Sequence, residues 1–276
     1  LVVLAALVYR LRRGERRVTT AMTITLGLLG LQVVLGGVTV LLNNVSWTVV
    51  MHYGAAAALL AAVLLIVVRL AFPEAETRPR DAYVRLVTWL AGITYGLLLM
   101  GATVATTDSH ESCGKSFPLC KGSVIPSVDH HVVIHMAHRV WAGIALVLAL
   151  WTWRQTSRLR PGVWHLELAA RGMASLFLAQ AAVGVAVVEA GENSVLEVLH
   201  SSLASLTWLA VATLLWMART LPAPQLVPSG DAPDRSQART IVADYMTLLK
   251  PRIMVLILIT AYGAMAFAAD GLPSAG

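Results

Sequence analysis

Residues 132–153 read VVIHMAHRVWAGIALVLALWTW. The run is apolar enough and long enough to cross a bilayer. A segment in hydrocarbon has to satisfy its own backbone hydrogen bonds, so it folds as a helix. Near its start stand His135, His138 and Arg139. Ionisable side chains at that depth are costly and usually functional. The preceding loop carries both cysteines of the chain, Cys113 and Cys120.

The rest of the chain has the same character. Of 276 residues, 57% are hydrophobic and 13% charged, and the mean hydropathy is +0.71. A soluble domain carries about 25% charged residues, so the expected fold class is an all-α membrane protein. Apolar runs occur at 21–42, 48–70, 86–106, 132–153, 172–188, 198–217 and 253–269, and residues 1–9 read as the tail of another. The chain opens inside one apolar run and ends just after another, so we read it as a piece of a longer protein. The net charge is +6. Its arginines fall in short loops between apolar runs, which argues against nucleic acid as a partner.

The loop charges alternate. Arginines cluster at 10–17, 69–85, 154–171 and 219–252, whereas 43–47, 107–131 and 189–197 are poor in them. The positive-inside rule places the arginine loops in the cytoplasm and the cysteine loop outside, in a cell membrane. Disulfides persist on that side. Cys113 and Cys120 are near enough in sequence to close a small ring, and two unpaired thiols are the alternative.

An internal repeat spans about forty residues. Gln32 and Gly36 precede His52 as Gln180 and Gly184 precede His200; Gln to His is twenty positions in both (52 − 32 and 200 − 180). Repeats in such register point to duplicated membrane bundles. The second copy reads as four complete helices. The first retains two helices and the stub 1–9, which corresponds to the end of the His-Arg helix.

His52, His138 and His200 each fall within the first few turns of a helix entering from the cysteine-loop side. At about 1.5 Å per residue they share a depth. A haem held by two imidazoles needs histidines at matched depth on facing helices, and His138 with His200 meets that need. Ala137, Ala142, Gly143, Ser201, Ser202 and Ala204 are small enough to admit a flat macrocycle. Arg139 is placed to pair with a haem propionate. His135 lies on the same face as His138 and competes with it. The alternative for any of the three is a histidine hydrogen-bonded between helices as structural glue. His130 and His131 read as solvated and His110 and His165 as loop residues. No zinc-type Cys/His spacing, Gly-rich phosphate loop or Ser-His-Asp arrangement is present.

LQVVLGGVTV followed by MHYGAAAALL, and IHMAHRVWAG after CGKSFPLC, resemble haem A synthase over residues 1–219. That family oxidises the C8 methyl of haem O to a formyl group, by successive hydroxylations and loss of water. The resemblance implies duplicated four-helix bundles with a cofactor haem b held by His138 and His200. It implies that the first half holds the substrate haem, with His52 as a ligand. The family's glutamate and His-Arg histidine would lie upstream of residue 1, so the catalytic residues are not in this sequence. The expected partners are haem O, membrane lipid and an electron donor the sequence leaves unnamed; a homo-oligomer is admitted but not required.

Near the end, DYMTLLKPRIM with the apolar run after it resembles the opening of haem O synthase, a protohaem farnesyltransferase of the UbiA type. That resemblance implies a fusion of two consecutive enzymes. The expected divisions are 1–70 (substrate-haem half), 84–219 (haem-binding half), 220–243 (linker) and 244–276 (start of the farnesyltransferase). A different class of function, a di-haem membrane cytochrome taking electrons from quinol, predicts the same ligands. A transporter with proton-relaying histidines predicts no visible absorption.

Overall fold

The computed structural model describes residues 2–11, 14–71, 81–123, 129–191 and 193–221. Leu1–Gln225 form one compact unit and Leu226–Gly276 a second. The expected linker and farnesyltransferase start, with Lys250, Arg252 and the run 253–269, lie outside the described residues apart from the linker's first positions.

Among the described residues every regular element is helical. The α-helices are α1 Val2–Leu11, α2 Arg16–Leu41, α3 Ser46–Ala71, α4 Ala82–Thr106, α5 His130–Leu159, α6 Trp164–Ala190 and α7 Ser194–Thr220. Six of them, α2 to α7, are long and apolar enough to cross a membrane. The chain is a multi-pass helical membrane protein.

The helices outrun the apolar stretches that announce them. At about 1.5 Å per residue, a helix of 25 to 30 residues is about 37–45 Å long. The hydrocarbon core is about 30 Å thick, so hydropathy marks only the middle of each helix. The expected arginine loop 154–171 is therefore mostly helical: α5 runs to Leu159 and α6 starts at Trp164. His165 stands in a helix for the same reason.

Local chemistry sets the ends. Asp81, Asp129 and Asn193 cap α4, α5 and α7, each side chain accepting from a backbone N–H of the first turn. Asn43 and Asn44 turn the chain between α2 and α3 with positive φ (53° and 58°), a conformation asparagine tolerates well.

The repeat is visible in the helix starts. α2 and α6 begin 148 residues apart (164 − 16), and so do α3 and α7 (194 − 46). The last residues of α1 and α5, Leu11 and Leu159, differ by the same 148. Helices α4 to α7 close a ring: α4 packs on α5 and α7, and α6 on α5 and α7. Thus α5 and α7 stand at opposite corners. α3 packs on α4 and α7 from outside the ring, and α2 packs on α3.

The α3 seam is joined by ring donors reaching bare backbone. The indole N–H groups of Trp208 and Trp216 donate to the carbonyls of Ala57 and Ala61, at 2.8 and 2.9 Å. The Tyr95 hydroxyl donates to the Gly54 carbonyl at 3.0 Å. Gly54, Ala57 and Ala61 share one helix face, and their small side chains let the rings come that close. The core of the ring is apolar, with Val87, Leu90, Ala145, Ala149, Met173, Val211 and Leu214 among its buried residues.

At the arginine end, Arg160 is buried and ion-paired with Asp81, and its guanidinium lies 4.9 Å from the centre of the Tyr83 ring. The Tyr83 hydroxyl meets Thr156 at 3.0 Å. These contacts tie the start of α4 to the end of α5. Burial raises the Asp81 pKa, but the Val84 N–H and the Arg160 guanidinium outweigh it and hold the carboxyl below its ordinary value. A depressed carboxylate stabilises the fold above the unfolded pKa of about 3.9. That stabilisation is lost as pH falls through the folded value. Thermal unfolding in detergent is expected to show Tm falling on the acid side of pH 4. Asp81→Asn keeps the cap but leaves Arg160 without its carboxylate, so Tm drops at neutral pH and the acid-side fall is removed. Asp81→Ala also loses the cap, at a cost of about 1 kcal/mol at neutral pH.

Candidate functional site

Three histidines lie against three glycines of neighbouring helices. A Cβ added at Gly36 of α2 would stand 3.1 Å from His52 Cε1 on α3. One at Gly184 of α6 would stand 3.0 Å from His200 Cε1 on α7. One at Gly101 of α4 would stand 3.3 Å from His138 Cε1 on α5. Each imidazole therefore fills the space that a side chain would need. Gly36 and Gly184 repeat at 148 residues (184 − 36), as do their histidines (200 − 52).

The two repeat-related histidines share another neighbour. The Gln32 carboxamide nitrogen lies 3.1 Å from His52 Nε2. The Gln180 nitrogen lies 3.3 Å from both ring nitrogens of His200. His138 has no such partner, and its Nδ1 is buried without a hydrogen bond. His138 on α5 and His200 on α7 belong to opposite corners of the ring.

Sequence reasoning set His135 beside His138 as a rival. His135 is buried, and its Nδ1 is 3.5 Å from the Ser112 hydroxyl, so it faces the cysteine loop. His131 is not simply solvated: it is half-buried, with Nδ1 3.0 Å from Ser109 Oγ. The small residue touching His138 is Gly101, which sequence reasoning missed. Its repeat mate would fall before residue 1, so the repeat gave no signal for it. Gly143, expected beside the histidine, is exposed. Five residues along a helix put it about 140° round from His138.

The cysteine loop is fixed to the same helix. Cys113 and Cys120 form a disulfide and are buried against Val132 and Met136 of α5. Arg139 Nη1 donates to the carbonyls of Ser116, at 2.9 Å, and Leu119, at 3.2 Å. Its guanidinium lies 5.8 Å from the Phe117 ring centre. Its Nε and Nη2 are buried and have no hydrogen-bond partner. Arg139 thus straps the loop next to His138 and keeps donors to spare. At the head of α5, the His131 and Val132 N–H groups hold the Asp129 carboxyl below its ordinary pKa, so the cap stays charged at neutral pH.

Beyond the disulfide's seat, the loop borders a cavity of about 470 Å³ lined by residues including Asp108, Glu111, Lys121 and His131. Among the described residues no cluster of three or more His, Cys, Asp or Glu is arranged to hold a bare metal ion.

A family model described as cytochrome oxidase assembly protein, COX15-CtaA, matches residues 1–265. The chain belongs to the COX15-CtaA family. Similar relatives include the heme A synthase of Lysinibacillus sphaericus (strain C3-41), 35% identical over 47% of this chain and 44% of the relative. The heme A synthase of Bacillus licheniformis is 33% identical over 43% of this chain and 39% of its own length. That of Symbiobacterium thermophilum is 32% identical over 37% and 34%. The chain spans under half the length of these curated relatives. The COX15-CtaA match extends past Asp244–Met254, the segment that sequence reasoning compared with haem O synthase.

The strap predicts how the loop responds to a reductant. The oxidised chain should take no maleimide, and two after reduction. In Arg139→Ala the Ser116 and Leu119 carbonyls lose their donor. Native-state reduction of Cys113–Cys120, followed by mass spectrometry of the alkylated chain, should then run several-fold faster.

Proposed function

We propose that this chain serves haem A synthesis, the oxidation of the C8 methyl of haem O to a formyl group in the membrane. In this reading the ring α4–α7 holds a cofactor haem b between His138 and His200, and His52 is a ligand to the substrate haem. The observation that carries it is the set of three imidazoles seated on glycines, in a chain whose relatives are heme A synthases.

The residues present fit such a group. His138 keeps a buried ring nitrogen without a partner. His200 is carried by the helix at the opposite corner of the ring. Apolar residues line the surrounding core, the setting in which an axial imidazole pair holds haem. Bound there, haem b would supply one-electron transfer. His138 and His200 would bind and orient it; the packed helices would exclude water. Arg139 is the candidate for a propionate, because Nε and Nη2 have no partner while Nη1 holds the loop. His135, turned toward Ser112, fits the ligand role less well than His138.

Two further parts belong to this reading. The arginine-rich loops lie in the cytoplasm and the disulfide loop outside, by the positive-inside rule. A farnesyltransferase following residue 244 rests on the resemblance of DYMTLLKPRIM alone. Its test is the downstream genomic sequence, where the Asp-rich motifs of a UbiA enzyme are expected. The di-haem cytochrome is the less favoured reading, since the relatives are named as synthases.

A reduced-minus-oxidised spectrum with a pyridine haemochrome assay tests the cofactor half. The purified chain should carry low-spin haem b, lost in both His138→Ala and His200→Ala. A folded, haem-free wild type would overturn the assignment, and haem surviving both substitutions would put the ligands elsewhere, with His135 and His52 next.

A further inference from the structure

Helix α5 has a side that the fold leaves uncovered. Its packed side buries Ala145, Ala149, Thr152 and Thr156. The opposite side exposes Val140, Ile144, Val147 and Trp151, then Arg154 and Arg158. Steps of four and three residues in alternation keep these six within about 80° of one face. From Val140 to Trp151 is 11 residues (151 − 140), about 16 Å of helix. That matches one leaflet of a hydrocarbon core about 30 Å thick. An indole suits the level just below the headgroups. The two guanidinium groups, one turn apart, stand at headgroup level beyond it. α5 contains no Asp or Glu. Among the described residues neither Arg154 nor Arg158 makes an ion pair or a side-chain hydrogen bond.

The repeat supplies a comparison. At the 148-residue offset, Trp151, Arg154 and Arg158 correspond to Val3, Ala6 and Arg10 of α1 (151 − 148, 154 − 148 and 158 − 148). One arginine at that level suffices to mark a helix end under the positive-inside rule. The second arginine and the indole occur on α5 and not on its mate. A second copy of the chain is a poor cover for this face. Two chains with the same membrane orientation meet about an axis along the bilayer normal, which sets each arginine against its own equivalent. With no carboxylate on the helix, that contact is repulsive. Helix pairs in a bilayer also favour small residues at their seam, whereas this face presents valine, isoleucine and tryptophan.

We propose that this face of α5 binds an anionic phospholipid of the leaflet at the arginine end. Arg154 and Arg158 hold the headgroup phosphate, Trp151 packs beside the glycerol backbone, and an acyl chain lies along Val147, Ile144 and Val140. Guanidinium groups suit phosphate oxygens because they offer paired N–H donors. A zwitterionic headgroup would bring its own cation up to the two arginines, so a net negative lipid is preferred. The site needs no haem and stands apart from the haem reading. α5 has 30 residues, about 45 Å of helix. A helix longer than the hydrocarbon takes its tilt from packing and from interfacial anchors. The lipid is one such anchor for the helix that carries His138.

The test is tryptophan quenching of the purified chain in phosphatidylcholine nanodiscs, with rising fractions of a phosphatidylglycerol brominated in its acyl chains. At equal fraction, brominated phosphatidylglycerol should quench the wild type more than brominated phosphatidylcholine does. Trp151→Phe should lose that excess. Arg154→Gln and Arg158→Gln should each weaken the preference roughly fivefold, and the double substitution should abolish it. Arg154→Lys, which keeps the charge, should retain most of it. All these side chains lie outside the packed core, so the variants are expected to fold. Equal quenching of the wild type by the two lipids would overturn the proposal, as would an excess that survives the double substitution. Competition by soluble glycerol phosphate would show a site for free phosphate instead of lipid. Efficient cross-linking between chains through Ile144→Cys would show a second copy in the lipid's place. Either result would also overturn it.

Discussion

Contact between an imidazole and bare helix backbone is the constraint on which the rest of this structure depends. Side-chain contacts in cores are already near close packing, so a methyl group at 3.0–3.3 Å from a ring carbon would push the ring back by a few tenths of an ångström. Gly36, Gly101 and Gly184 remove that methyl and let a histidine occupy the helix surface. Pairs of helices then approach at the level of the histidines, α4 with α5 and α6 with α7 among them. The α3 seam uses the same device, with Trp and Tyr donors reaching the carbonyls of Gly54, Ala57 and Ala61.

The two ends of the ring are secured differently. At the arginine end, the Asp81–Arg160 pair joins α4 to α5. A buried arginine needs that carboxylate and the Tyr83 face, since an unpaired charge there would be strongly destabilising. At the other end the link is covalent and local: the disulfide and the Arg139 strap fold the cysteine loop onto the first turns of α5. The residue that straps the loop is adjacent to His138. Order in the loop and placement of the proposed ligand therefore draw on one side chain.

Much of the architecture was legible in the sequence. The apolar runs announced the six long helices, since nothing else in a bilayer satisfies so long an apolar backbone. Their ends were not legible, because the helices continue beyond the hydrocarbon where composition turns polar. The Gln-Gly-His register announced the repeat because duplication preserves spacing. Gly101 left no trace, having no repeat mate within the chain. The different neighbours of His135 and His138 were hidden for another reason. At i and i+3 they share a face by spacing alone, and only the loop's hydroxyl at Ser112 and the glycine at Gly101 separate them.

The central claim is that His138 and His200 face each other as ligands to one haem iron. The most direct measurement is an anomalous difference map at the iron edge from crystals of the haem-loaded chain. The account predicts one peak between α5 and α7, in coordination with His138 and His200. A peak bound to His135, or one outside the ring of α4–α7, would contradict it.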